Sequence, residues 1–132
     1  MNNMTSKPTI DIVWYKRDLR ITDHRPLFEA SNNSPLILPI YVFEPSIIGE
    51  SDFGSNHLAF ISESIQHLQN QFRAMHSELF IFKGEMETVL QLISEQFTIC
   101  HIHSHIEVGN IATYQRDKRV LKWCNNRNIP WT

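Results

Sequence analysis

The chain has 132 residues, of which 42% are hydrophobic and 20% are charged, and its net charge at pH 7 is −2. This length and composition fit one globular domain and exclude an intrinsically disordered chain. A slightly acidic chain also argues against general binding to nucleic acid, because affinity for phosphate comes from clustered positive charge.

Four apolar segments have the length and composition of buried parallel strands. They predict strands at residues 10–15, 36–43, 79–82 and 97–102. Residues 129–131 have the character of the approach to a fifth strand.

Helices are predicted between these strands, at residues 25–30, 56–75, 85–96 and 111–127. Thr22 and Asp23 offer a side-chain cap for the first helix, and Pro26 suits its first turn. Residues 47–54 contain two glycines and are predicted to form a loop. The long second helix has one apolar face, because its apolar residues are spaced alternately by three and four positions: Leu58, Ile61, Ile65, Leu68, Phe72 and Met75.

The alternation of strands and helices predicts the fold class. Strands that are joined by helical crossovers form a parallel sheet with helices on both faces. We therefore expect an α/β fold, a Rossmann-like three-layer sandwich whose five-stranded parallel sheet has the order 3-2-1-4-5. In that order strands one and four are neighbours and the winding reverses between them, so residues 16–20 and 103–110 should face each other across one crevice.

The loop after the first strand carries three cations and no glycine: Lys16, Arg17, Asp18, Leu19 and Arg20. A dinucleotide site needs a glycine-rich first turn, so ordinary NAD binding and P-loop chemistry are both excluded. Two interpretations remain open. The cations bind an anionic ligand, or they pair with carboxylates such as Asp18, Asp23 and Glu107 in a structural network.

Three histidines alternate along the fourth strand: His101, His103 and His105. Alternate residues of a strand point to the same side, so the three could bind zinc or iron. In the other interpretation His101 is partly buried, while His103 and His105 line the mouth of the crevice without a metal. We predict no metal site, because no partnering carboxylate motif accompanies them.

The N-terminal residues and the two cysteines bear on the location of the protein. Residues 1–8 are polar and lack the apolar centre of a signal peptide. No apolar run approaches the roughly 20 residues of a membrane span. Cys100 and Cys124 lie in patterns that predict buried, reduced thiols. We therefore expect a cytoplasmic protein with no membrane partner.

Residues 13–23, VWYKRDLRITD, resemble the opening signature of the photolyase/cryptochrome family, V-W-F-R-R-D-L-R-x-x-D-N. The likeness continues at residues 39–45, 60–65 and 82–85, and at residues 104–107 together with Arg116 and Asp117. The chain is therefore similar to the amino-terminal α/β domain of that family from residue 10 onward, behind a disordered tail at residues 1–9.

The resemblance implies an antenna-binding domain of a flavin-dependent DNA photolyase, which repairs pyrimidine dimers with light, or of a cryptochrome. The antenna pigment would be methenyltetrahydrofolate, a deazaflavin or a flavin. FAD and the contact with damaged DNA would belong to a helical domain outside this chain, which alone would not be catalytic. The residues expected to bind the antenna cofactor are Lys16, Arg17, Asp18, Arg20, Glu44, His105, Glu107 and Asn110. The alternative is a stand-alone nucleotide-binding or interaction module without photochemistry.

Overall fold

The computed structural model of the chain describes residues 7–33, 36–48, 55–106, 109 and 111–132. Strands and helices alternate, as predicted. The elements are β1 (Thr9–Tyr15), α1 (Arg25–Asn33), β2 (Ile37–Phe43), α2 (Pro45–Ile48), α3 (Ser55–Ala74), β3 (Phe80–Lys83), α4 (Met86–Gln96), β4 (Thr98–His103) and α5 (Ile111–Asn126).

The four strands form one parallel sheet in the order β3-β2-β1-β4. The predicted adjacency of β1 and β4 is confirmed, and Val13 lies opposite His103. The prediction of five strands is wrong. Trp131 forms only an isolated parallel bridge with Ile102. Pro130 has no backbone N–H to donate to a strand ladder.

The two faces of β1 bury different side chains, because alternate residues of a strand point to opposite sides. Ile10, Ile12 and Trp14 pack with buried residues of α4 and α5. Val13 and Tyr15 pack with buried residues of α1 and α3. The sheet therefore lies between two helical layers, and its carboxyl edge is open between β1 and β4.

The helices differ from the prediction in two places. α1 continues to Asn33, three residues beyond its predicted end. Pro45–Ile48 forms the short helix α2, whose last two residues belong to the predicted loop at 47–54, and residues 49–54 lie outside the described residues. Pro suits the first helical position because it has no N–H to leave unpaired. No helix of the described residues is long and apolar enough to cross a membrane.

β4 contains a bulge at Cys100. Ile10 lies opposite Ile99 and Asp11 lies opposite His101, so Cys100 is an extra residue in β4. Its side chain is exposed, which corrects the prediction that both thiols are buried; Cys124 is buried and both are free. The bulge also places His101 and His103 on the same face of the sheet as Asp11.

Candidate functional site

The β1–β4 crevice lies where these two strands end, between the loop after β1 and the residues after β4. It is a cavity of about 600 Å³. Its lining carries both signs of charge and some apolar surface: Asp18, Arg20, Arg25, Pro26, Glu29, Ser104, His105, Ile106 and Thr132. The predicted meeting of the two distant segments is therefore confirmed for the residues that the structure describes.

The Asp18 cluster, formed by Asp18, His24 and His105, joins the two sides of this crevice. Asp18 Oδ2 lies 2.7 Å from His105 Nδ1 and also contacts His24 Nε2. Asp18 Oδ1 accepts a hydrogen bond from the backbone N–H of Lys16 at 2.9 Å. Burial raises the pKa of Asp18, but the hydrogen bonds from His24, Lys16 and His105 outweigh it and hold the pKa well below its usual range. Asp18 is therefore a carboxylate at neutral pH.

His24 is the N-cap residue of α1, which corrects the prediction that Thr22 or Asp23 caps this helix. The backbone N–H of Leu27 donates to His24 Nδ1 at 3.1 Å. The ring also stacks on Tyr15, with 4.5 Å between the ring centroids. Because Nδ1 accepts a hydrogen bond, the proton of the neutral ring is on Nε2, which faces Asp18. Sequence reasoning missed this residue because Ser, Thr, Asp and Asn are the preferred N-caps.

Lys16 ties β1 to β4 from the buried side of the crevice. Its ammonium group donates to the carbonyl oxygen of His105 at 3.2 Å. The same group lies 4.4 Å from the centre of the Trp14 ring and 5.5 Å from that of Trp131. A cation over aromatic faces gains electrostatic energy when it is shielded from water. The structure thus places Lys16 as a contact between strands, while Arg20 lines the cavity.

Comparison with known proteins identifies the family. Residues 11–132 match the family model described as DNA photolyase. The chain belongs to the DNA photolyase family. It is 31% identical over 102 residues to Cryptochrome DASH of Gloeobacter violaceus, an alignment that covers 74% of this chain and 20% of that protein. It is 31% identical over 101 residues to (6-4)DNA photolyase of Arabidopsis thaliana, covering 68% and 18% of the two chains.

Solved structures of photolyases and cryptochromes share the fold. A cryptochrome of Synechocystis superposes with a TM-score of 0.86 at 24% identity, covering 97% of this chain and 27% of that one. An archaeal photolyase of Sulfolobus tokodaii, solved with two FAD molecules, gives a TM-score of 0.78 at 23% identity, covering 92% of this chain and 28% of that one. The chain therefore spans about a quarter of each solved protein.

Two of the residues that were expected to bind an antenna cofactor, Glu44 and Arg17, are not among the described residues that line the crevice. Glu44 is buried at the end of β2 and pairs with Arg116 Nη1, so it is not among the described residues that line the crevice. Arg116 Nε also donates to Asp117 at 2.8 Å, and its guanidinium lies 4.8 Å from the centre of the Trp14 ring. Arg17 is exposed. The buried carboxylate thus has its guanidinium partner on α5.

The other expected residues fall into two groups: Arg20 and Asp18, whose contacts the structure shows, and Glu107 and Asn110, which it does not describe. Arg20 Nε donates to the backbone carbonyl of Asp23 at 3.2 Å, and the side-chain partners of Asp18 are His24 and His105. These contacts differ from the Arg–carboxylate pairs of the predicted network. Glu107 and Asn110 lie outside the described residues. Between them, Gly109 packs closely against α5: a β-carbon there would lie 2.4 Å from Thr113 Oγ1.

The crevice has the size and the lining of a small-molecule site. Its volume of about 600 Å³ falls within the roughly 300–1,000 Å³ of small-molecule sites. Arg20 offers a guanidinium group to a carboxylate or phosphate, and so does Arg25, although its Nε already donates to Glu29 at 3.2 Å on the same exposed surface. The side chain of His105 is 36% exposed at the wall. Ile106 adds exposed apolar surface. The lining therefore offers cationic groups, an imidazole and apolar surface to a small molecule.

Proposed function

We propose that the chain is the antenna-chromophore-binding domain of a flavin-dependent DNA photolyase or cryptochrome. The observation that carries the proposal is the match of residues 11–132 to the DNA photolyase family, on a fold whose crevice is lined by Arg20 and His105. The larger protein would hold FAD in a helical domain of the same polypeptide. A photolyase of this kind would repair pyrimidine dimers in damaged DNA within the cytoplasm.

The residues of this chain bind and orient the pigment. Arg20 and Arg25 hold its anionic tail, His105 donates or accepts a hydrogen bond at a ring edge, and Ile106 covers the ring. The Asp18 carboxylate fixes the orientation of His105 through the 2.7 Å contact at Nδ1. A pigment held by these residues would supply light absorption for FAD in the helical domain. Orientation matters because the protein's contribution to cofactor chemistry is to position the cofactor.

Titration of the purified chain tests pigment binding. Methenyltetrahydrofolate, a deazaflavin and FMN are added separately, and binding is followed by pigment fluorescence. We expect one of them to bind with a stoichiometry of one, and Arg20→Ala and His105→Ala each to weaken that binding about tenfold, the loss of one charge-assisted contact. Arg73→Ala is the matched control, because Arg73 is exposed on α3 and pairs with Glu78 there.

Three results contradict the proposal. The first is that no pigment binds. The second is that Arg73→Ala weakens binding as much as Arg20→Ala does. The third is that ATP or AMP binds tightly in place of the pigments, which supports the stand-alone nucleotide-binding module. The larger protein is tested by expressing the coding sequence beyond Thr132, where FAD absorbance in the purified product is expected.

A further inference from the structure

A second group of polar side chains lies on the sheet face that packs against α1 and α3, away from the loop after β1. We call it the Asp11 cluster: Asp11 on β1 with His101 and His103 on β4. The rings of His101 and His103 are stacked, with 4.0 Å between their centroids and 11° between their planes. His103 Nε2 lies 2.8 Å from Asp11 Oδ2.

The bulge at Cys100 builds this cluster. Ile10 lies opposite Ile99, and without the extra residue Asp11 would lie opposite Cys100. With it, Asp11 lies opposite His101, and His103 follows two positions later on the same face. Bulges commonly re-aim side chains next to functional sites.

The burial of the cluster leaves an unsatisfied group. Asp11 is 5% exposed and His103 is 2% exposed, so a carboxylate and an imidazole are both removed from water. His103 Nδ1 is buried and has no hydrogen-bond partner within the part of the chain that the structure describes. A buried polar atom without a partner costs free energy, so the Asp11–His103 pair is not fully satisfied by the hydrogen bond between them.

We propose that Asp11, His101 and His103 bind a divalent transition-metal ion such as Zn²⁺. Each residue offers one ligand atom, and these atoms all lie within 4.8 Å of one another. Ligands at the usual zinc distances lie about 3.3 Å apart in a tetrahedron. Metal binding therefore requires the Asp11–His103 pair to open by roughly half an ångström. It also requires one of the two stacked rings to turn, so that the lone pairs of both histidines, which lie in the ring planes, point to the same ion. Imidazole and carboxylate are ligands that zinc accepts.

His101 lies beside the β1–β4 crevice. His101 is partly exposed, and its Nε2 lies 2.7 Å from Thr132 Oγ1. Thr132 and Glu29 also line the crevice, so His101 stands next to a cavity that opens to solvent. The ion also offsets the charge of the buried Asp11 carboxylate.

The possible ligand atoms of the Asp18 cluster are equally close together, but this cluster does not suit a metal. Its three ligand atoms also lie within 4.8 Å of one another. A metal on His24 Nε2 would move the proton of the neutral ring to Nδ1, which already accepts the N–H of Leu27. Metal binding there would break the cap of α1. His105, which follows β4 and belongs to the Asp18 cluster, is therefore not a ligand of the proposed ion, and it provides a control.

Metal titration of the whole chain tests the proposal. The protein is freed of metal with a chelator, dialysed, and titrated with Co²⁺ and then Zn²⁺, while the visible absorption of Co²⁺ is recorded. We expect one ion per chain and a spectrum of tetrahedral intensity. His101→Asn should weaken affinity by about tenfold or more, whereas His105→Asn should leave it unchanged.

X-ray absorption of the zinc-loaded chain gives an answer that does not depend on how any variant folds. Two imidazole ligands are expected in the first coordination shell. The proposal is overturned if no ion binds at stoichiometric concentration, if the zinc has no or one imidazole ligand, or if His105→Asn weakens affinity as much as His101→Asn does. Binding that survives His101→Asn unchanged assigns the ion to surface histidines and also overturns it.

Discussion

Asp18 Oδ2 lies 2.7 Å from Nδ1 of His105, although 87 residues separate the two in sequence. The contact is possible because β1 and β4 are neighbours and both residues follow the carboxyl ends of their strands. The same oxygen contacts His24 at the start of α1. One carboxylate therefore connects three segments of the chain at the wall of the β1–β4 crevice.

Asp18 should make the stability of the fold depend on acid pH. Its pKa is lowered in the folded chain, whereas an unfolded Asp titrates near about 3.9. Below pH of about 4 the unfolded chain binds a proton that the folded chain does not, so the free energy of unfolding falls as the pH falls, by up to about 1.4 kcal/mol per pH unit. Urea denaturation between pH 2.5 and 7, values chosen to span about 3.9, measures this slope.

Asp18→Asn should reduce that pH dependence by the contribution of one group and lower the free energy of unfolding at pH 7 by about 2 kcal/mol, because hydrogen bonds to a charged acceptor are lost. Asp23→Asn is the control, since Asp23 is exposed and close in sequence. Equal slopes for wild type and Asp18→Asn would show that the carboxylate is not held by His24 and His105.

His24→Ala should destabilise the chain through the loss of the α1 cap. The ring nitrogen that accepts the N–H of Leu27 is removed, which typically costs about 1–2 kcal/mol. His24→Asn keeps a side-chain acceptor at the N-cap and should recover more than half of that loss, although it lacks the ring contact with Tyr15. Thermal unfolding followed by circular dichroism measures both. If the two variants are equally destabilised, capping is not the role of His24.

The order of the sheet could be predicted because it depends on features that are local in sequence. Apolar runs mark strands, apolar stripes mark helices, and their alternation requires parallel pairing. The adjacency of β1 and β4 then places Asp18 near His105 without any knowledge of side chains. The same reasoning assigned a fifth strand to residues that form only one bridge, because periodicity does not report how many residues pair.

The partners of buried charges could not be predicted, because they depend on which helix layer a side chain enters. Glu44 directly follows β2, and the family resemblance named it as a cofactor-binding residue, but its partner in the structure is Arg116 on α5. The bulge at Cys100 is equally invisible, since a single extra residue leaves the apolar pattern of β4 intact. These two features decide the surroundings of Trp14 and of Asp11.

Arg116→Met should be strongly destabilising. It keeps most of the side-chain volume but removes the guanidinium partner of Glu44, whose side chain is 6% exposed. Removing one partner of a buried ion pair typically costs about 3–5 kcal/mol. Arg119→Met is the matched control on the same helix: Arg119 pairs with Glu87 but is 42% exposed, so about 1 kcal/mol or less is expected.

The double variant Arg116→Met with Glu44→Gln separates the ion pair from the packing of α5. It should be more stable than Arg116→Met alone, because the uncompensated charge is gone. Urea denaturation at pH 7 gives all four free energies. If Glu44→Gln adds its own loss to that of Arg116→Met, the two side chains are not coupled.

Gly109→Ala should destabilise the fold next to the start of α5, because Gly109 lies against Thr113 in the first turn of that helix. A β-carbon at residue 109 would lie 2.4 Å from Oγ1 and 3.2 Å from Cβ of Thr113, whose side chain is buried. Overpacking of this kind typically costs about 1–3 kcal/mol.

Thr113→Ala removes the atoms that clash and should make the second substitution cheaper, so the double variant should lose less than the sum of the single variants. Thermal unfolding of the four proteins measures the coupling. Strict additivity would mean that residue 109 does not pack on Thr113. In that case the close approach of Gly109 to α5 would not restrict the size of the side chain at position 109.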